Sequence, residues 1–597
     1  VDIDADTDVT EDGFQYYIDT LDGDDGSVVN VAAITGYVGD KTEIVVPNVV
    51  EENIPVARID SCAFEDYENL LSITIPKEVK CIAHDAFSGC YNLTNIEFMG
   101  SITSIGDNAF FNCSRLTSIV ISEGVESIGS STFSGCSKLK EIKLPTTLKI
   151  IGNYAFYGCS GLTSIEIPEG VESIGSRAFS GCSSLTSVKI PVSITSIEGG
   201  AFSGCSSLTS VEIPKGVECI EWGVFLDCSG LTSIEIPEGV KSVGSSAFEG
   251  CSGLTSIEIP EGVKSAGSSA FKGCSGLTSI EIPEGVESIG SSAFSGCSGL
   301  TSMKIPVSIT SIEGGAFSDC SSLTSIEIPE GVTLLGDGKE TSYIDGMFSG
   351  CSKLKEIKLP TTLEVIGNYA FEGCSGLTSI EIPEGVKSIG KSAFSGCSNL
   401  TNSIKIPEGI EEVKEYTFSN CSKLKEVELP STLKVIGSYA FRYCSNLINM
   451  EIPEGIESIG YSAFSDCSKL SSIILPNGIT KLEFKTFYNC KNLESVYLPD
   501  TLTDIGNIEE AEYRDGVFEN CTALEKISIP KSVKIIGDRS FAGCIGLESV
   551  DLPKNLTVIG KDAFRYCSIL KRIEMPEEVE SIGDGAFSYC YKLSSIV

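Results

Sequence analysis

"CSGLTSIEIPEGVESIGSSAFSG", residues 274–296, is followed by another cysteine, Cys297, and by much the same words again. A chain that repeats one sentence of 23 residues builds a solenoid, in which each repeat packs on its neighbours alone. Aligned on cysteine, Cys90 to Cys320 recur every 23 residues. The series resumes at Cys351, Cys374 and Cys397, then at Cys421, Cys444, Cys467 and Cys490, and closes with Cys521, Cys544, Cys567 and Cys590. Tyr67 holds the same slot one repeat earlier, which makes 23 repeats. A Phe always precedes the slot by three residues, from Phe64 to Phe587, and a Leu always follows it by three, from Leu70 to Leu593.

The unit divides into three short segments. In "LTSIEIP" the alternation of "SIEI" is that of a strand, apolar residues inward and Ser and Glu outward. The closing proline suits a position where the ladder needs no further N–H. "EGV" turns the chain, and "VESIG" repeats the alternation on a second edge of the coil. "SSAFSGC" places a Ser in N-cap position ahead of Ala, Phe and Cys at helical spacing, which predicts one turn of helix or 3₁₀ helix. A Gly or Ser after it lets the chain bend into the next strand.

These residues carry a resemblance. L-x-x-I-x-I-P followed by V-x-x-I-G-x-x-A-F-x-x-C-x-x-L resembles the BspA-type leucine-rich repeat, over about nine tenths of the chain. The resemblance implies a leucine-rich-repeat right-handed solenoid with a parallel β-sheet on one face and short strands and 3₁₀ or helical turns elsewhere. It also implies a place on the surface of anaerobic bacteria or some protists, and a role in adhesion. It brings no catalytic residues. At about 4.8 Å per strand, 23 repeats give a sheet about 110 Å long, an extended surface or spacer rather than a pocket.

The ends read differently. "GFQYYIDTLDGDDGSVVNVAAITGYVG" predicts a β-hairpin, Phe14 to Ile18 and Val28 to Ala32, joined by an Asp/Gly turn. "TEIVVPNVVEENIPVARIDSCAF" is a degenerate first repeat with "IVVP" as its strand. Residues 1–60 are therefore expected to cap the first hydrophobic face, and residues 61–597 to form the solenoid. The sequence starts at Val1, as a processed or trimmed chain would. It stops at "LSSIV", straight after a strand, and truncation there is the expectation.

Asp and Glu number 82 against 43 Lys and Arg, a net charge of −39. Nucleic acid and anionic membrane surfaces need clustered positive charge, so they are poor partners; basic or cationic ones are favoured. No stretch approaches the roughly 20 apolar residues of a membrane helix.

Twenty-five cysteines in an exported chain suggest disulfides, but the register argues otherwise. Each ladder Cys sits between a core Phe and a core Leu, so all point inward together. Bridging neighbours would turn them away from that shared direction. They read as small buried hydrophobes with a weak S–H donor for backbone carbonyls. Zinc sites want close pairs such as C-x₂-C, and none occurs. Cys62, Cys81 and Cys219 stand off the ladder and are the reactive ones expected.

One histidine, His84, supports neither a Ser-His-Asp set nor a histidine metal motif, and there is no G-x-x-x-x-G-K phosphate loop. "DIDADTDVTEDG", residues 2–13, alternates Asp as Ca²⁺ loops do, but lacks their Gly and closing Glu and reads as a solvated acidic segment. No cofactor is called for. The slot seven after the cysteine forms an outward row of carboxylates, including Glu235, Glu258 and Glu281, interrupted by Lys143, Lys189, Lys304, Lys358 and Lys405. Stacked like charges cost stability, so the lysines relieve repulsion or the row is an electrostatic binding strip. With Tyr497 its one aromatic, that face is a poor sugar platform.

Two insertions of eight residues break the register between "G" and "F": "DGKETSYIDGM" (337–347) and "NIEEAEYRDGV" (507–517). Insertions in repeat proteins map to loops and often bind, with Tyr343, Asp345, Tyr513 and Arg514 as candidate anchors. The expectation is a non-enzymatic cell-surface or secreted binding and adhesion module. It would engage a host or neighbouring-cell surface or matrix protein through the sheet face and the two loops. A passive stalk presenting other domains is the alternative, and a glycan-active enzyme is the remotest reading.

Overall fold

The computed structural model describes residues 7–22, 28–336, 346–508 and 515–596. They form two compact units, Val1–Val286 and Glu287–Val597, each a parallel β-solenoid of the predicted kind.

In the first unit, Phe14–Asp22 and Val28–Tyr37 form the antiparallel hairpin, paired from Asp22 opposite Val28 to Phe14 opposite Tyr37 with a register shift between Gln15 and Tyr16. Both strands run longer than the expected Phe14 to Ile18 and Val28 to Ala32. Its second strand pairs in parallel with Val56–Ile59, and that strand with Cys81–Ile82. From there the two strand segments of each repeat stack in two columns. Ser164–Glu166 pairs with Ser187–Lys189, and Ser173–Ile174 with Ser196–Ile197. Strands this short persist because each is one rung of a ladder whose inward residues are buried (Ile165, Ile174) and whose outward ones face water.

The third segment is not helix. Each copy is a pair of turns, closed by the Cys N–H donating to the Phe carbonyl, as from Cys136 to Phe133 at 3.2 Å. Two positions per repeat are left-handed: the fifth residue before the cysteine, such as Ser246 (φ 54°) and Ser269 (φ 56°), and the one just before it, such as Asp227 (φ 58°) and Gly250 (φ 76°). A helix cannot pass through a left-handed residue, so the helical spacing of Ala, Phe and Cys ends in turns. The backbone groups freed in this way pair between repeats instead. The Phe248 N–H donates to the Ala270 carbonyl at 2.8 Å, and Phe156 to Ala178 at 2.7 Å. A third hydrogen-bond ladder thus completes each coil.

The core answers the cysteine question. The Phe rings stack nearly parallel, with centroids 5.2–5.9 Å apart from Phe64 to Phe271 in the first unit. Beside them each ladder thiol donates to the carbonyl of the preceding repeat's Phe: Cys251 to Phe225 at 3.1 Å, Cys444 to Phe418 at 3.1 Å. The cysteine is a hydrophobe small enough for the gap and still able to serve a buried acceptor.

The second unit absorbs both insertions without losing register. Ser325–Glu327 pairs with Glu356–Lys358 across the first, and Asp504–Ile505 with Ile535–Ile536 across the second. The Phe stack spans both, at 5.5 Å from Phe317 to Phe348 and 5.3 Å from Phe487 to Phe518.

Candidate functional site

In the first unit the outward carboxylates form a true column. Glu212 lies opposite Glu235, Glu235 opposite Glu258, and Glu258 opposite Glu281, all exposed. None of the four has an ion-pair partner among the described residues. Two of the row's lysines pair with the carboxylate of the preceding repeat: Lys189 with Glu166 at 3.3 Å in this unit and, in the second unit, Lys358 with Glu327 at 2.5 Å. Relief of repulsion thus accounts for Lys189 and Lys358, and the Glu212–Glu281 stretch bears its own repulsion.

The second unit holds a different feature, built from its turn segments. Tyr416 and Tyr439 stand at equivalent left-handed positions (φ 58° in both), one repeat apart, and their rings stack at 4.4 Å. Tyr461, one residue before the left-handed Ser462, meets the Tyr439 ring edge-on at 4.6 Å. The Tyr416 hydroxyl is pushed up to about 12, first by burial and then by its Tyr439 neighbour, and Tyr461 is pushed up by its hydrogen bond with Tyr439 and by burial. The Tyr416 and Tyr461 hydroxyls therefore stay protonated across the physiological range.

Beside this cluster are two adjoining hollows. One, of about 420 Å³, lies between Tyr439, Tyr461, Glu483, Lys485, Asn507 and Asp515. The other, of about 470 Å³, runs along the second strand edge under Glu412, Glu415, Glu457 and Lys481 and shares Glu483 with the first. Lys481 pairs with Glu483 at 3.3 Å, Lys485 with Asp515 at 2.5 Å and Lys391 with Glu415 at 2.7 Å. Among the described residues, Glu412 and Glu457 have no ion-pair partner. A concave surface with aromatic walls and a few convergent polar groups is the usual form of a ligand site. No group of three or more His, Cys, Asp or Glu among the described residues could hold a metal ion.

The sequence profile of the BspA type leucine rich repeat region matches residues 48–160, 126–254, 220–339, 340–422, 401–508 and 512–597. The chain belongs to this family. Among solved structures it is similar to a leucine-rich repeat protein from Bacteroides ovatus, with 30% identity over 75% of this chain and 96% of that one and a TM-score of 0.45. It is also similar to a leucine rich cell surface protein from Faecalibacterium prausnitzii, with 27% identity over 72% and 96% of the two chains and a TM-score of 0.36. No curated protein matches it.

In this BspA-type chain the sequence-predicted site residues are only partly placed. Glu235, Glu258 and Glu281 are brought together in one column. Tyr343, Asp345, Tyr513 and Arg514 lie outside the described residues, as do residues 1–6 of the Asp-rich segment. His84 is exposed and sits 3.0 Å from its neighbour Asp85. Cys62 is exposed and Cys81 and Cys219 half-buried, whereas the ladder thiols from Cys90 to Cys567 are buried.

Two features escaped the sequence reading. One is the tyrosine cluster, whose signal was Tyr416 and Tyr439 standing 23 residues apart, in "KEYTF" and "GSYAF", on the turn row rather than the sheet face. The other is Glu519, buried just after the second insertion. Its carboxylate takes the Gly516 N–H at 2.9 Å and the Arg539 Nε at 2.9 Å, with a second contact to the same guanidinium. This forked pair fixes the chain where the insertion returns to the coil.

Proposed function

We propose that the chain is a non-enzymatic binding and adhesion module of a cell surface or of the secreted space, engaging a surface or matrix protein of a host or neighbouring cell. Membership of the BspA-type family supports the surface placement. The observation that carries the binding role is the unrelieved column Glu212, Glu235, Glu258 and Glu281. Like charges in register oppose the fold, and the same row elsewhere pairs Glu166 with Lys189 and Glu327 with Lys358. A column kept without lysine serves something outside the coil, and its field favours a basic partner.

The test is binding of the purified chain to a panel of extracellular-matrix proteins and glycans at low and high salt. A protein adhesin binds saturably to a matrix protein, loses affinity as salt rises, and weakens further in the triple variant Glu235→Gln, Glu258→Gln, Glu281→Gln. Excising the 337–347 and 507–517 insertions reads out their share. Absence of binding to the whole panel identifies a passive stalk instead.

A further inference from the structure

We infer that the groove from Glu412 to Asp515 receives an extended, arginine-bearing segment of a basic protein partner. One guanidinium seats against Tyr461 at the aromatic end, and further cations lie along the carboxylates. The inference rests on the protein-binding reading above and names the partner's chemistry.

The aromatic end offers ring faces beside carboxylates. Tyr439 and Tyr461 meet edge-on, Tyr461 keeps 42% of its surface exposed, and Glu483 and Asp515 line the same hollow. A guanidinium stacks flat on an aromatic face and hydrogen-bonds carboxylates in its own plane, so such a corner suits it better than it suits an ammonium. The acidic end supplies Glu412 and Glu457, without ion-pair partners among the described residues, next to Glu415 and Glu483, which hold one lysine each.

Independent support comes from the chain's own arginines on the same turn row. Arg442 lies 5.2 Å from the Tyr439 ring centroid and 4.6 Å from that of Tyr443. Arg565 lies 5.0 Å and 5.5 Å from those of Tyr566 and Tyr589. In the first unit Arg177 lies between Tyr154 and Trp222, at 5.9 Å and 5.1 Å. The turn row thus places a guanidinium against aromatic faces at two slots, Arg177 five residues before its cysteine and Arg442 and Arg565 two before theirs, and sets an ammonium against Tyr416 and Tyr488 (Lys391 and Lys485). At Tyr461 the ring is presented beside a hollow whose carboxylates, Glu483 and Asp515, each hold one lysine. Glu412 and Glu457, unpaired among the described residues, lie in the adjoining hollow, so a cation from outside meets the exposed ring at one end and free carboxylates at the other. Three strand spacings separate the ends of the acidic hollow, about 14 Å, which an extended peptide covers in about five residues.

The experiment is calorimetric titration of the whole chain with an Arg-Gly peptide of about that length, its Lys-Gly and citrulline-Gly counterparts, and a neutral N-acetylglucosamine oligomer. Variants are Tyr461→Leu and Glu457→Gln, both at exposed side chains, with circular dichroism to verify the fold. The expected result is saturable binding of the Arg peptide, several-fold weaker binding of the Lys peptide, and none of the citrulline peptide. Tyr461→Leu lowers Arg-peptide affinity about tenfold while barely moving the Lys peptide; Glu457→Gln weakens both. Equal binding of Arg and Lys peptides, indifference of the Arg peptide to Tyr461→Leu, or displacement of it by the sugar oligomer overturns the inference. If the Arg peptide fails while a matrix protein still binds, the groove assignment falls and the adhesion reading stands. If the peptide binds as expected and no matrix protein does, the reverse holds.

Discussion

At the scale of the residue, the ladder cysteine has a chemical identity that its neighbours impose. Burial pushes the thiols of Cys136, Cys182 and Cys444 up to about 12, against a modest lowering by the backbone contact each makes. An unfolded thiol titrates near about 8.5. The folded state thus holds protons that the unfolded state releases, and the resulting stability is complete below about pH 8.5 and lost as pH rises toward about 12, by about 1.4 kcal/mol per pH unit for each thiol. Urea unfolding at about pH 8 and about pH 10 checks the sign: stability falls on the alkaline side, and less so in a Cys136→Ala, Cys182→Ala variant. The same burial keeps these thiols inert. An aromatic disulfide reagent should react with the exposed Cys62 and the half-buried Cys81, Cys219 and Cys590 before the ladder thiols, and reach all 25 only in denaturant without reductant. Far fewer than 25 thiols in denaturant would contradict free, carbonyl-bonded cysteines. The inward direction of the thiol was legible in the sequence, because Phe and Leu flank it at fixed spacing. Its acceptor was not, because that lies in the preceding repeat.

At the scale of the element, the two strand segments and the hairpin follow from alternation, and the turn segment does not follow from its helical spacing. Left-handed backbone at two slots decides the matter. Its trace was present in the sequence as Asn, Asp and Gly recurring just before the cysteine, residues that tolerate that conformation. Replacing the left-handed Ser269 (φ 56°) with Val should cost about 1–2 kcal/mol, while Ser269→Gly should be neutral or stabilising; thermal unfolding distinguishes them. Phe248, fully buried between Phe225 and Phe271, should cost about 3–5 kcal/mol on change to Ala. Arg539→Ala should be comparably severe, about 3–5 kcal/mol, because it strands the buried Glu519 carboxylate, whereas a paired Arg539→Met, Glu519→Leu exchange should recover most of the loss. Equal damage by single and paired changes in denaturant melts would show that the ion pair is not what anchors that turn. The tyrosine groove belongs to this scale too. It was missed because side chains one repeat apart meet only when the coil stacks, and sequence reading followed the strand face instead of the turn.

At the scale of the whole molecule, the core is one repeated solution and carries no choice of partner; what varies is the surface. Two near-verbatim blocks, residues 189–203 with 304–318 and 136–148 with 351–363, show copying that a core of identical slots accepts without repair. Specificity is then left to charge columns, turn-row aromatics and insertions, and a BspA-type coil can change any of these without touching a Phe. The acidic column is the clearest case, because it is held against the fold. Four carboxylates in register without lysine should make the molecule less stable than it could be, by about 0.2–1 kcal/mol per opposed pair. The most direct measurement is the urea midpoint of the Glu235→Gln, Glu258→Gln, Glu281→Gln variant against the unaltered chain, at low salt and at about 1 M salt, where the screening length falls to about 3 Å. A midpoint raised at low salt, with the gain vanishing at high salt, is the predicted result. A midpoint unchanged or lowered at low salt would contradict it, and would mean that the column costs the fold nothing and has no need of a partner to explain it.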